Sequence, residues 1–494
     1  MTFFKNSWQQ LMGINPFEGD VLPSRVHLFE RGRPCLPFPH LLNYKTPLQI
    51  FDAFYTHTES KDLSARHNRY LYLAGMPPVL VTRDPAVIKA IVLATGDKLG
   101  QFDRDTSPTA GIARATGVNT LLYANGKVWR RQKKMVMKPF SKGSLYQPEE
   151  FHEFEQTFRK TIEERLDVLR DAQKISGQKI SRVEIEKEIQ PIMLEMMVNN
   201  FFGASVEYTE LRERYVPALL SLIDHMVTDT VAPHLSALHR LVTGKNVDLR
   251  RWQFDLEELT DIALSGRKEG LGLWKNFIAD VEDEEALRSN IRVFLAGALE
   301  ATTSFASWTI SHLSRQADLQ EQLYDEVKNL NTYNPENLEE AKLLNQTMNE
   351  TLRLTPSLYF FPRKATVDTW LKIDDHRNMM IPKGTIIRLD IWNANRNEDF
   401  WGKDISGFPA DIFAPTRWDI LAEKGKSPKD FMHFGFGHGA RVCPGKFLGQ
   451  LEVGLVVGAF IKVFRFKAVK ETTGVRAGVT TKPDDGVLLD LELR

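Results

Sequence analysis

"FGFGHGARVCPG", residues 434–445, sets one of only two cysteines of a 494-residue chain inside a run of glycines, two positions after an arginine. Glycines at 435, 437, 439 and 445 let the backbone turn tightly and let a large flat group approach without Cβ collisions. Amides exposed in such a loop can point at a thiolate and stabilise its charge. Pro444 then opens the apolar helical run GKFLGQLEVGLVVGAF, so Cys443 is presented at a helix N-terminus. A thiolate placed this way serves as a nucleophile, a zinc ligand or a haem ligand. Zinc is excluded because no second cysteine lies near and the chain has no Cys-x-x-Cys pair. Covalent c-type haem attachment falls with the same missing pair. A nucleophile would take His438, five residues upstream, as its base. A haem ligand would gain from Phe436, which can pack around it, and from Arg441, which can pair with a propionate carboxylate. Both readings stand on these residues.

Outward from the loop, composition bounds the class. The chain is 42% hydrophobic and 10% aromatic, enough for a large core, and globular. Sixty-four Lys+Arg balance sixty-four Asp+Glu, so net charge gives no argument for nucleic acid and any charged docking surface is local. Two cysteines, Cys35 and Cys443, point to a reducing, cytoplasmic compartment. The longest apolar stretch, VGLVVGAFI at 453–461, is about half of the ~20 residues of a spanning helix, and the N-terminus lacks a signal pattern. A soluble monomer without a transmembrane segment is expected. Phe4, Trp8, Leu11 and Met12 follow helical spacing; the stripe is expected to dock on the protein's own core, with a peripheral membrane contact as the alternative.

The chain reads as mainly α with minor β-sheets (α+β). RYLYLAGMPPVLVTRDP (69–85) predicts a hairpin, followed by a helix at DPAVIKAIVLATG. From 149 to 329 nearly everything carries helical periodicity, including FHEFEQTFRKTIEERLDVLRDAQK and RSNIRVFLAGALEATTSFASWTISHLSRQ. Strand patches return at WLKID, GTIIRLDIW and GVLLDLEL. No internal repeat or linker divides the chain, which predicts one domain over 1–494, with 1–60 as a docking segment.

The sequence resembles the cytochrome P-450 family. FGHGARVCPG matches its haem-ligand signature Phe-x-x-Gly-x-Arg-x-Cys-x-Gly at Phe436, Gly439, Arg441, Cys443 and Gly445, with Gly437 inside it. ETLR (350–353) matches Glu-x-x-Arg, FAPTRW (413–418) a downstream Phe-x-Pro-Glu-Arg element, and WRRQKK (129–134) the Trp-x-x-x-Arg helix, all in family order over roughly 60–494. The resemblance implies the family's fold, haem b between a long distal helix and a proximal Cys loop, and Cys443 as axial ligand to iron. It implies Trp129, Lys133, Arg441 and Arg363, the last in FFPRKA, as propionate contacts. Lys133 stands where an arginine is usual and Thr416 where glutamate is common. Glu350 and Arg353 lie three apart, on one helical face, and with Arg417 are implied as a buried structural network behind the haem loop.

The distal helix departs from the family pattern Ala/Gly-Gly-x-Asp/Glu-Thr-Thr/Ser. In FLAGALEATTS, one frame takes Glu300 as the acid, puts Gly297 over the haem and leaves Ala301 at the threonine. A second takes Ala298 with Thr302 and loses the acid; a third, starting at Ala296-Gly297, puts leucine at the acid. The first is preferred, because it keeps the acid and a following threonine; no frame keeps everything.

The resemblance then implies a monooxygenase acting with dioxygen on a hydrophobic substrate, fatty acid, terpenoid or steroid-like. Glu300 with ordered water or Thr302 would deliver protons. Electrons would come from a separate ferredoxin- or flavodoxin-type donor and its reductase, steered by the basic run RRQKK. Substrate contacts are expected from 99–122, 194–240, 294–303 and 356–362, with Phe201, Phe202, Leu219, Leu222, Phe294, Leu295, Leu299, Leu358 and Phe360 as an apolar lining. The alternative is a haem-thiolate enzyme that does not activate dioxygen, a peroxygenase or an isomerase of an oxygenated substrate. A haem-binding sensor or electron carrier is the third reading.

Overall fold

The hairpin forms as expected: Asn68–Leu71 pairs antiparallel with Val79–Thr82, and the buried Thr82 hydroxyl donates to Asn68 Oδ1 at 2.6 Å. These positions come from a computed structural model. It describes residues 14–26, 29–30, 33–34, 47–55, 62–72, 76–96, 100–107, 110–231, 238, 241–243, 246–266, 270, 274, 283–335, 337, 340–426 and 433–494. Cys35 and the stripe from Phe4 to Met12 lie outside the described residues. Asp84 caps the following helix Pro85–Ala94, accepting from Ala86 N at 2.9 Å, and Pro85 occupies the first turn, where its missing N–H costs nothing.

The described residues divide into two compact units. The first takes them from Met1–Pro108, Leu358–Ile412 and Asp419–Cys443. Its sheet has six strands in the order Ser24–Arg25, Asn68–Leu71, Val79–Thr82, Ile386–Asp390, Phe360–Ala365 and Phe102–Asp103. WLKID contributes Thr369–Lys372 to a smaller sheet, paired with Asn378–Ile381. Val87, Ile88 and Ile91 of the helix pack with Ile387, Leu389 and Phe361 in one apolar cluster. Along Phe360–Ala365 the side chains alternate, and Phe361, Arg363 and Ala365 turn to the buried face. Arg363 is therefore a charge placed on the apolar side of a strand.

The second unit takes the described residues of Thr109–Ser357, Phe413–Trp418 and Pro444–Arg494. It is built on long helices: Pro148–Ser176, Ile185–Glu195, Val216–Val231, Asn246–Ser265, Glu284–Gly297, Thr303–Leu313, Lys342–Leu354 and Lys446–Val463. Lys446–Val463 is apolar on every side because it is buried on every side, with Leu448, Leu451, Val453, Val457, Phe460 and Ile461 enclosed. No described helix is long and apolar enough to cross a membrane. One part of the helical expectation for 149–329 is corrected. Ile180–Glu184 is a strand, paired antiparallel with Leu488–Leu493, the strand predicted at GVLLDLEL, in a three-stranded sheet completed by Phe464–Ala468. A small hairpin of Val475–Ala477 and Thr481–Pro483 is fastened by Thr481. The Thr481 carbonyl accepts from Ser304 Oγ at 2.6 Å and Trp308 Nε1 at 3.2 Å, while its N–H donates to Ser357 O.

Candidate active site

The loop of Cys443 closes on itself. Gly437 N donates to Phe434 O at 2.8 Å, and Cys443 N donates to Phe436 O at 2.9 Å. Gly437 and Gly439 take φ of +67° and +69°, a region that excludes most side chains. Gly439 has a second reason to be glycine: a Cβ there would lie 2.7 Å from Val92 O of the helix Pro85–Ala94. The Cys443 thiol is half-buried, and Gly445 two positions on caps the helix Lys446–Val463. His438 Nε2 donates to His433 O at 2.9 Å and its ring stands edge-on to Phe434, which commits that nitrogen to its own loop.

Around this loop the first unit gathers arginines. Arg363 and Arg441 are both buried. Arg363 Nε donates to Thr95 Oγ1 at 3.1 Å and Nη1 to Pro362 O at 2.9 Å, both neutral acceptors. Burial, then repulsion from Arg104 and Arg441, holds its guanidinium well below its ordinary value. Arg441 is pushed down to about 9, first by burial and then by Arg104, with Asp103, whose Oδ1 lies 3.9 Å from its Nη2, acting the other way. Buried like charges are costly unless an anion neutralises them. A rigid, flat dianion answers that cost, and the two propionates of haem, next to a half-buried thiol, fit the donor set. Arg104 was not legible in the sequence; it sits 337 positions from Arg441 with no motif around it.

In the second unit, Trp129 is buried on the helix Gly126–Val136, and the Lys133 ammonium lies 5.3 Å from its ring centroid. Arg130, Arg131 and Lys134 of the same helix are exposed. Gln132 faces inward and accepts from Asn290 Nδ2 at 2.7 Å, fixing this helix to Glu284–Gly297. Glu350, Arg353 and Arg417 come together as read. All three are fully buried; Glu350 accepts from Arg353 Nη2 at 2.7 Å, Arg353 Nε at 2.9 Å and Arg417 Nε at 3.1 Å. The Ala414 N–H donates to Glu350 Oε1 at 3.1 Å, so one carboxylate holds the whole FAPTRW segment.

The distal helix is not a regular α-helix. Between Glu284–Gly297 and Thr303–Leu313, the residues Ala298–Thr302 form a π turn. The turn displaces backbone pairing, and two hydroxyls take up the carbonyls: Thr302 donates to Ala298 O, and Ser357 to Ala301 O at 3.2 Å. The first sequence frame put Gly297 and Ala301 on one face by α-helical spacing, a count that does not hold across this turn. A Cβ at Gly297 would meet nothing within 4 Å. Glu300 is buried and held on both oxygens, by Lys482 Nζ at 2.9 Å and Thr480 Oγ1 at 2.8 Å. Neither partner was found in the sequence.

The expected apolar lining needs correction. Phe201 and Phe202 are 0% exposed and packed with Phe140, Phe154 and Trp274, and Leu219, Leu222, Leu295 and Leu299 are at most 1% exposed. Side chains without accessible surface fill core and line no cavity. Phe294, at 8%, keeps a little surface; Leu358 is 42% exposed and Phe360 half-buried.

Comparison with known proteins agrees with the motifs. The chain is 24% identical to a cytokinin hydroxylase of Arabidopsis thaliana, over 96% of this chain and 93% of that protein. It is 24% identical to an 11-oxo-beta-amyrin 30-oxidase of Medicago truncatula, over 86% of this chain and 80% of that protein. Against cytochrome P450 4F3 of Rattus norvegicus it is 22% identical, over 92% and 89%. The Cytochrome P450 family model matches residues 56–484, running through both units. The chain belongs to the cytochrome P450 family, whose members bind haem through a thiolate, and is an oxidoreductase of the monooxygenase type.

Proposed function

We propose that this enzyme inserts one oxygen atom of dioxygen into a hydrophobic organic substrate, fatty acid, terpenoid or steroid-like, with Cys443 as the thiolate that would hold haem b. The observation that carries the reading is the closed loop of Cys443 beside the buried Arg363 and Arg441, both of which the half-buried Arg104 repels. In this reading these arginines hold the propionates, joined by Trp129 and Lys133, while Phe436, Gly437, Gly439 and Gly445 shape the loop around the ring. Haem bound there would supply the oxygen-activating chemistry. The protein's own residues supply orientation, a dry pocket and protons, with Glu300 as the proton donor, Gly297 the open side of the distal helix, and Thr302 and Ala301 beside the acid. Glu350, Arg353 and Arg417 act as structural support.

Residues 61–494 act here as one catalytic domain, a cytoplasmic monomer. Electrons come from a separate ferredoxin- or flavodoxin-type protein and its reductase, for which exposed Arg130, Arg131 and Lys134 offer a basic face. Two of the relatives are named for a hydroxylation and an oxidation, which supports oxygen insertion. One observation favours the peroxide-using or rearranging alternative: both oxygens of Glu300 are already engaged, which ties the acid down.

The test is isotopic. A substrate is found first by screening hydrophobic compounds for a shift of the haem absorption, then turned over with reductant under labelled dioxygen. One labelled oxygen in the product is expected. Turnover with peroxide alone, and none with reductant and dioxygen, would replace this reading by the alternative.

A further inference from the structure

The strand Ile180–Glu184 is the outer strand of its three-stranded sheet, and among the described residues no strand pairs with its far side. The register says which backbone groups are left over. Ile185 N donates to Val487 O at 3.1 Å, continuing the alignment in which Val183 faces Leu489 and Ser181 faces Leu491. Antiparallel strands alternate their bonding residue by residue, so the N–H and C=O groups of Ser181 and Val183 turn to Leu488–Leu493. Those of Ile180, Arg182 and Glu184 turn to the open side, and among the described residues no hydrogen bond reaches them. A row of unpaired backbone donors and acceptors is a template for another strand.

The charges on this sheet say which strand it takes. Lys467 lies opposite Asp490, and Asp490 opposite Arg182, which binds it through Nε at 2.8 Å and Nη2 at 3.0 Å. The row alternates in sign and ends on a cation, so a further strand continues it by bringing a carboxylate opposite Arg182. Glu184 lies two residues on, on the same face as Arg182, and its only printed partner is the exposed Lys187 at 2.7 Å. Charges on an edge strand ordinarily keep other strands away. Here they select. Two antiparallel copies of one strand pair symmetrically only when one residue stands opposite itself. Centring the pair on Arg182 or on Glu184 sets like charges against each other, which is destabilising. Centring it on Val183 sets Arg182 opposite Glu184 of the second copy, twice, and joins the outward backbone groups of those two residues in hydrogen-bonded pairs.

We propose that the enzyme associates with a second copy of itself through Ile180–Glu184, antiparallel and centred on Val183, so that the three-stranded sheets of the two copies become continuous. The row then runs Lys467, Asp490, Arg182 and Glu184 of the second copy, alternating in sign throughout. Arg182 and Glu184 supply the ion pairs and the outward hydrogen bonds, and Val183 meets its own counterpart on the two-fold axis. A contact of one short strand belongs to the small, transient class of interfaces. The catalytic unit remains the monomer proposed above, and the pair forms as concentration rises.

Sedimentation equilibrium of the haem-loaded enzyme over roughly a hundredfold range of concentration should show the mass rising from monomer towards dimer. Arg182→Glu and Glu184→Arg should each raise the dissociation constant by at least about tenfold, because two symmetry-related pairs turn repulsive together. An equimolar mixture of the two variants should associate like the parent, since one then carries only acids on that face of the strand and the other only arginines. Glu184→Pro covers the case in which charge reversal beside Asp490 disturbs folding. It removes an outward N–H at a residue whose φ of −88° is already close to proline's range, and spares the bonds to Leu488–Leu493. It should weaken association with haem content unchanged. The register has its own readout. In a Cys35→Ser background, Val183→Cys should give a disulfide-linked dimer on mild oxidation, because a non-hydrogen-bonded pair brings Cα atoms to about 4.5 Å, within a disulfide's reach; Ser181→Cys should not. A parent that stays monomeric throughout, a dimer that all three strand variants leave intact, or a mixture that fails to associate would overturn the proposal, and equal cross-linking at Ser181→Cys would overturn the register.

Discussion

Replacing Glu350 by alanine removes a carboxylate that holds two buried guanidiniums and the Ala414 N–H. Glu350, Arg353 and Arg417 are each 0% exposed, so the broken pair is a buried one. Breaking a buried pair from one side costs about 3–5 kcal/mol, and an orphaned buried N–H adds about 1–3 kcal/mol. The two overlap, since both measure the same lost acceptor, and about 4–6 kcal/mol is expected, a large part of the ~5–15 kcal/mol that holds a folded domain together. Glu350→Gln keeps the volume and one acceptor oxygen and should lose about 2–3 kcal/mol, the worth of charge-assisted hydrogen bonds. Urea unfolding of the parent and both variants, with haem content of the purified proteins beside it, measures this. Glu350→Ala should yield little haem-loaded protein. A loss of under about 1 kcal/mol, the range of exposed pairs, with normal haem content would refute the reasoning.

Arg363→Leu should act with opposite signs: the haem-free protein gains stability, because burial and two like charges no longer act on that guanidinium, while haem affinity falls roughly 10–100-fold with the loss of a charge-assisted contact; titration of haem into both proteins checks it. Glu452, fully buried, has its carboxyl raised by burial to about 8. As pH rises from the ordinary carboxyl range towards that value, the unfolded chain ionises while the folded one stays protonated, so stability falls. Glu452→Gln should match the parent near pH 4 and exceed it above pH 8 by about 4–5 kcal/mol at most, and a gap that does not change with pH would contradict this. Ala301→Thr should couple reductant use to product better, and Thr302→Ala should harm turnover less than Glu300→Ala, which should cost ~10²–10⁴-fold; equal damage would favour the frame built on Ala298 and Thr302.

The parts of this protein that declare themselves in sequence are those whose partners lie within a turn or a loop. The Cys443 loop, the Glu350–Arg353 pair, the hairpin before Asp84 and the strand Ile386–Asp390 within GTIIRLDIW all depend on local spacing. Ile180–Glu184 escaped because its pairing partner, Leu488–Leu493, comes at the other end of the chain and its own residues do not alternate apolar and polar. Lys482 escaped for the same reason: a lone charge in a sequence is ordinarily solvated, and only folding shows that this one is buried. The π turn is a subtler case. Its residues are all compatible with an α-helix, so counting by 3.6 passes through it unaware.

The most direct measurement is the absorption of the reduced carbon-monoxide complex. The account predicts the red-shifted band of thiolate ligation in the parent and in Cys35→Ser, and its loss in Cys443→Ser. Persistence of that band in Cys443→Ser, or its loss in Cys35→Ser, would contradict the assignment of Cys443 as the ligand.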